Sequence, residues 1–329
     1  MSSTVATRRA LLKALSIAPG GGAEVTLQQT IAAEVIPLIR QANYLRQIAD
    51  KYEGLINMTK PLVRVPRLVR AQGAYVVQAG KPAPTFDARL EGVDLRPEKM
   101  MAWLPIDQEV FEDSTIKDME GMLKQEMARE FAQGEEIAWL HGDREGVFPS
   151  GDSRNGFDGL FKQAAAAPLV YDPDIDTTIP NSGADVIVSN LIRACRNLGI
   201  YGRNKKEIVI MIGTAIEERL TRSESFQRMS SYAYGSGAGI FNGEIGRLNG
   251  ATVVATTWLD AQPGDTYSKA LVMNSSCFVI GDWQQFSIRV YDEILSQTDQ
   301  TAIRARERVA FAVRYPEAIV SIEQFPAQP

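Results

Sequence analysis

The chain has 329 residues, enough for one large or two modest domains with a sizeable core. Hydrophobic residues at 45% and charged residues at 23% match ordinary soluble globular chains and exclude a disordered or fibrous polypeptide. Thirty-five Lys and Arg against 40 Asp and Glu leave a formal charge of −5, too mild to mark a dedicated nucleic-acid-binding domain.

Residues 1–23 are small and basic, with Arg8, Arg9 and Lys13 and then Pro19-Gly20-Gly21-Gly22. Arg8-Arg9 superficially fits a twin-arginine export signal, but only Ala14 to Ala18 follows as an apolar stretch, so the segment reads as a basic mobile arm. Thr26 and Gln29 form a capping box for a helical stripe of Leu27, Ile31, Val35, Leu38, Ala42 and Leu45, which Pro37 interrupts. The arm, 1–59, thus carries an apolar face without a core of its own and must pack on something else.

Leu62 to Val69 and Ala74 to Gln78 read as strands, the second with Met100 to Leu104 as its partner. Between those two lie Gly80-Lys81-Pro82 and a polar, charged run to Lys99, which makes a long two-stranded excursion with little to bury. An isolated hairpin is marginal in water, so this one is a mobile lid, a surface loop, or a segment held by another subunit. A helix is predicted from Ser114 to His141, with Ile116, Met119, Leu123, Met127, Phe131 and Ala138 as its stripe and Gly142 as its stop. His141, the only histidine, reads as a cation at the helix C-terminus, and its solitude removes histidine triads and multi-histidine metal sites. Asp143, Asp152 and Asp158 lie in a glycine-rich loop that lacks the alternating ligands of a calcium loop.

From 183 the texture changes. A helix over Ala184 to Leu198, a buried strand over Glu207 to Ile212 and a helix over Thr214 to Arg222 are predicted. Cys195 falls on the inward face of the first and reads as a core thiol; with only Cys277 besides, the chain has neither a disulfide framework nor a zinc cluster. Tyr234 to Gly239 does not complete a phosphate-binding glycine motif and reads as a loop. Strands are expected over Leu248 to Val254, Ala270 to Met273, Phe278 to Val290 and Ala302 to Val313, followed by Tyr315 to Val320. No run approaches the roughly 18 apolar residues that cross a bilayer, and no cofactor or metal is expected.

The order of these pieces resembles the major capsid proteins of tailed bacteriophages, whose fold is named for phage Hong Kong 97. The excursion from Tyr75 to Trp103 looks like the extended loop of that fold, and Gln108 to Ser114 leads into a helix similar to its spine helix. Gly156-Phe157-Asp158-Gly159-Leu160 is similar to the glycine-phenylalanine turn that follows, Val279 to Trp283 to the last axial strand, and Arg314 to Ala318 to part of the closing peripheral strand. The resemblance covers about Lys60 to Ile322; it implies an α+β chain divided into an arm (1–59), a first peripheral part (60–182, with the extended loop at 70–104 and the spine helix at 114–141), an axial domain (183–290) and a second peripheral part with the C-terminus (291–329).

What the resemblance implies is a shell protein, not an enzyme, forming hexamers and pentamers of an icosahedral capsid around double-stranded DNA, assembled in the bacterial host cytoplasm with no membrane partner. The expected inter-subunit contacts are Tyr75, Lys81, Phe86, Arg89 and Trp103 on the excursion and Leu27, Ile31 and Val35 on the arm. Some family members join a loop lysine to a neighbour's asparagine; Lys81 suits, but Tyr291 to Tyr315 holds no asparagine, so a non-covalent shell is expected. The first 53 residues are too short for a scaffolding region, which implies a separate scaffolding protein beside a portal and a decoration protein. Two competing readings are an encapsulin-type compartment and a hydrolase using acids such as Asp143 and Asp158 with the excursion as a lid.

Overall fold

The computed structural model describes residues 43–51, 54–57, 59–71, 76–77, 81–82, 88–109, 119–146, 148–173, 175, 183–228, 244–261, 267–295 and 299–326. Helix α1 (Tyr44–Lys51) is followed by strands β1 (Leu55–Asn57), β2 (Val63–Ala71), β3 (Ala88–Leu95) and β4 (Glu98–Asp107), then by the long helix α2 (Met119–His141). A short helix α3 (Leu160–Gln163) and β5 (Leu169–Val170) lead to α4 (Gly183–Asn197), β6 (Ile208–Ile212) and α5 (Thr214–Thr221). The rest is strand: β7 (Glu244–Leu248), β8 (Ala251–Ala255), β9 (Tyr267–Asn274), β10 (Phe278–Leu295), β11 (Gln300–Val313) and β12 (Ile319–Pro326). The mixture is the expected α+β class.

Three sheets result: a four-stranded sheet in the order β1-β10-β11-β4, a six-stranded sheet in the order β5-β12-β9-β6-β8-β7, and the two-stranded ribbon β2-β3. The six-stranded sheet is buried on both faces. All five residues of β6, Ile208-Val209-Ile210-Met211-Ile212, are buried, as the uninterrupted apolar run requires. Ile208, Ile210 and Ile212 face Leu191 and Ala194 of α4, Leu198 just beyond it, and Ile216 and Leu220 of α5. Val209 and Met211 face a second core that includes Trp139 and Leu140 of α2, Phe278 and Phe311. One core thus joins both large sheets through the C-terminal end of α2, and its 23 residues span about 35 Å.

The N-terminal half of α2 lies on the four-stranded sheet, with Met127, Ala128, Phe131 and Ala132 against Phe286, Ile288, Ile303 and Ala305. Phe131 meets Phe286 edge-on at 5.0 Å between centroids. At the other end the glycine-phenylalanine turn docks: Phe157 is buried, Gly159 N–H donates to Gly142 O at 2.8 Å, and a Cβ on Gly159 would stand 2.5 Å from Leu140 O. Only glycine allows that approach.

Several expectations are corrected. Met100 to Leu104 does not pair with Ala74 to Gln78; it lies in β4, whose partner is β11 (Trp103↔Arg304, Met101↔Arg306). The observed ribbon is β2-β3, with Val63↔Leu95 and Val65↔Val93. Leu248 to Val254 is not one strand, because Asn249 (φ 50) and Gly250 (φ 87) turn the chain back between β7 and β8. An Asn-Gly pair takes two consecutive positive φ values, and the resulting turn matches the twist of a hairpin. The sheets also cross the expected boundary at 290: β10 pairs with β11 in the four-stranded sheet, whereas β12 pairs with β9 in the six-stranded one. Finally, the end of the arm has a core: Leu45, Ile48 and Ala49 are buried, and β1 runs parallel to β10.

Candidate functional site

The surfaces that matter for a chain of this architecture are the ones its own core leaves uncovered. The base of the β2-β3 ribbon is fixed, with Val65 and Leu95 packed on Val279, Ala310 and Ala312, and Arg67 Nη1 donating to Arg314 O at 3.3 Å. The two strands of the ribbon are also joined by ion pairs, Arg64 to Asp94 and Arg67 to Glu91, each at 2.8 Å. A solvent-accessible pair such as the first contributes at most about 1 kcal/mol. Yet Leu90 on β3 is 71% exposed and Val76 is fully exposed. Among the described residues neither side chain has a core beneath it, and apolar surface left open in this way is available to another molecule.

Of the expected contact residues, Lys81 is exposed in the connection between β2 and β3, and Arg89 lies in β3 in register with Arg70. Trp103 is not on the ribbon at all; it stands on β4, 40% exposed, 5.9 Å from the Tyr291 ring. Tyr75, Phe86, Leu27, Ile31 and Val35 lie outside the described residues. Tyr234 to Gly239 and the predicted start of the long helix, Ser114 to Ile116, fall there too.

A buried charge cluster, which the apolar stripe of α2 conceals, clamps the arm to the body. Asn43 Oδ1 caps α1 by accepting from Arg46 N at 3.2 Å, and its Nδ2 donates to Glu135 at 3.0 Å. Arg46 donates in turn to Glu135 (Nε to Oε2, 2.7 Å, with Nη2 on Oε1) and to Asp282 (Nη1, 3.0 and 3.2 Å), and Nη2 stands 3.8 Å from Glu307. These side chains are almost wholly buried, and the guanidinium also lies 5.4 Å from the Trp139 ring centroid. Three carboxyls around one guanidinium are not electrically balanced. Burial, and then the neighbouring Glu135, push the Glu307 carboxyl well above the usual carboxylate range.

The acidic loop offers no pair of free carboxylates. Lys162 Nζ donates to both Asp143 and Asp158, the latter at 2.8 Å, and holds the Asp143 carboxyl below its ordinary range. Asp152 instead accepts from Arg154, at 2.7 Å from Nη2. Among the described residues no group of acids, cysteines and histidine is placed to hold a metal ion. His141 is not the expected cation: burial lowers its pKa, and it is stacked on Phe161 at 4.9 Å with Nε2 2.8 Å from Trp258 O. The carbonyl can only accept, so Nε2 carries the hydrogen. Glu136, on the same helix, is pushed up to about 7 by burial, against a hydrogen bond from Thr256. Cys195 is a core thiol as expected, its pKa raised by burial to about 11.

The overall arrangement recurs in known proteins. The model of the phage capsid family matches residues 23–323. The chain belongs to that family. Among solved structures, the capsid of an empty GTA particle is 16% identical, with 86% of this chain and 90% of that one covered and a TM-score of 0.57. A protein of Mycobacterium phage Bobi is 18% identical over 82% of this chain and 87% of that one, TM-score 0.55. The mature capsid of bacteriophage PhiM1 is 13% identical over 82% and 83%, TM-score 0.52. No curated protein sequence matches significantly. The capsid protein therefore has the α+β fold named for phage Hong Kong 97, and it is a structural component of the virion shell that associates with itself.

Proposed function

We propose that this capsid protein is the principal shell subunit of a tailed bacteriophage, assembling as hexamers and pentamers into an icosahedral shell that encloses double-stranded DNA. The observation that carries this reading is the ribbon, fixed at its base and leaving Leu90 exposed, in a chain of the phage capsid family. The four-stranded sheet with α2 forms the peripheral body, the six-stranded sheet with α4 and α5 the axial body, and the ribbon and the arm before Asn43 reach neighbours. Many modest contacts around a closed surface add through effective concentration, so no single interface need be tight. The net charge of −5 suits a container that does not grip its DNA.

The shell is non-covalent, is built in the host cytoplasm with a separate scaffolding protein and a portal, and has no catalytic activity. The loop contacts include Lys81, Arg89, Tyr75 and Phe86, and the arm contacts Leu27, Ile31 and Val35; Trp103 contributes from the peripheral sheet. The test is to express the chain alone and with its genomic neighbours, then measure particle mass by light scattering and inspect the product by electron microscopy. Closed megadalton shells, or capsomers that close when a scaffold is added, are expected. A stable monomer under every condition would overturn the reading, and a ladder of linked subunits on a reducing denaturing gel would overturn the non-covalent shell.

A further inference from the structure

The two faces of β11 have different coverage. Ile303, Ala305, Glu307, Val309 and Phe311 point into the cores shared with α2, while the even-numbered residues from Arg304 onward point the other way. On that other face Ala310 and Ala312 lie under the ribbon base, and the remaining stretch carries Arg304, Arg306 and Arg308. Lys99, Met101, Trp103 and Pro105 of β4 share this face and are all exposed. None of the three arginines is paired to a carboxylate among the described residues. Arg304 lies 4.7 Å from the centroid of Tyr291 and Arg308 5.3 Å from that of Trp283. Gln284, with its amide turned to satisfy the network, accepts from Arg306 at 2.9 and 3.1 Å. Among the described residues Arg304 Nε is buried with no hydrogen-bond partner. β4, moreover, is the edge of its sheet.

The geometry points to a docking surface: we propose that Arg304, Arg306, Arg308 and Trp103 receive the acidic run 109–120 of a second copy of this chain. The proposal deepens the shell reading and rests on it. The run, Glu109-Val110-Phe111-Glu112-Asp113-Ser114-Thr115-Ile116-Lys117-Asp118-Met119-Glu120, holds five acids against one lysine and interleaves them with Val110, Phe111 and Ile116. It therefore complements the face in both charge and apolar character. Arginine, tryptophan, tyrosine and methionine on one patch are the enriched residues of protein interfaces, whereas a surface for nucleic acid is more uniformly polar and basic. Within one chain the run connects the end of the edge strand at Asp107 to α2, which packs on the opposite face of the same sheet.

The decisive experiment places cysteines at Arg306→Cys and Glu112→Cys in the full chain, assembles shells and oxidises them mildly. The native thiols, Cys195 and Cys277, are both buried. A ladder of linked subunits that collapses on reduction is expected. Intact shells with no ladder would overturn the proposal, and an internal link confined to monomers would show that the run covers its own face. In a second arm, Arg304→Glu with Arg308→Glu should lower the yield of shells by about tenfold or more, and adding Glu112→Lys with Asp113→Lys should restore it. Reversed chains that assemble at full yield but retain less double-stranded DNA would assign the face to nucleic acid and overturn the proposal. If the parent chain forms no particles under any condition, the shell reading itself has failed.

Discussion

At the scale of single residues, the Arg46 clamp and Glu136 set the stability of the subunit. Removing the guanidinium while leaving Glu135, Asp282 and Glu307 buried strands uncompensated acid, so Arg46→Met should cost about 3–5 kcal/mol, read from denaturant unfolding of isolated capsomers. Glu307→Gln keeps the shape without adding buried charge, so it should cost less than Arg46→Met in the same measurement. The pH dependence follows from the raised carboxyls. Glu136 is neutral in the folded chain up to about pH 7 but ionises near its ordinary 4.5 once unfolded, and Glu307 is raised in the same direction. The folded state therefore binds more protons, and stability falls as pH rises from 4.5 toward 7 and above. For Glu136 alone the loss is of order 3 kcal/mol. Glu136→Gln should flatten the unfolding midpoint between about pH 4 and about pH 8, and an unchanged slope would show that Thr256 and its surroundings hold the carboxylate ionised.

At the scale of elements, two glycines decide how neighbours meet. Gly159 sits where a Cβ would be driven into Leu140 O and Gly142 N, at 2.5 and 2.7 Å. Gly159→Ala should therefore unseat the turn from the end of α2, costing several kcal/mol and appearing as lost soluble protein or a lowered melting temperature. Gly250 presents a different problem. Its φ of 87 strains any L side chain, and Gly250→Ala should cost about 1 kcal/mol or more without disturbing the remaining five strands of the sheet. The ribbon obeys the opposite rule if, as proposed, its partners are other subunits. Leu90→Ser, at a side chain 71% exposed, should leave capsomer stability within about 0.5 kcal/mol of the parent. It should lower the yield of closed shells measured by light scattering, since its apolar surface is buried only in the assembly.

At the scale of the whole molecule, the C-terminal end of α2 is the point through which the two large sheets communicate. Trp139 stacks on Phe311 at 5.5 Å on one side, and His141 is tied to Trp258 O on the other. The sheet that α2 lies on is covered on that face and, among the described residues, open on the other apart from the part beneath the ribbon base. If assembly covers the open part, as proposed, the mutations that matter most for assembly are ones that the isolated subunit should tolerate.

The sequence by itself determined the elements whose pattern is local. The apolar run of β6, the alternation along β11, the stripe of α2 and the inward face of α4 were all legible because burial repeats at the period of the backbone. The order of the pieces, with the glycine-phenylalanine turn after the long helix, was enough to place the chain in its family. The same alternation that turns Ile303 and Ala305 inward also places Glu307 inside, so one member of the charge cluster had a local signal. Glu135 and Arg46 had none, since a polar residue beside an apolar stripe is ordinarily solvated, and only the approach of α1 to α2 and β10 buries it. The pairing of β4 with β11, and the exchange of β10 and β12 between the two sheets, were likewise decided by tertiary structure. Strand partners far apart in sequence are chosen by which faces and edges the rest of the fold leaves available, and no local period encodes that choice.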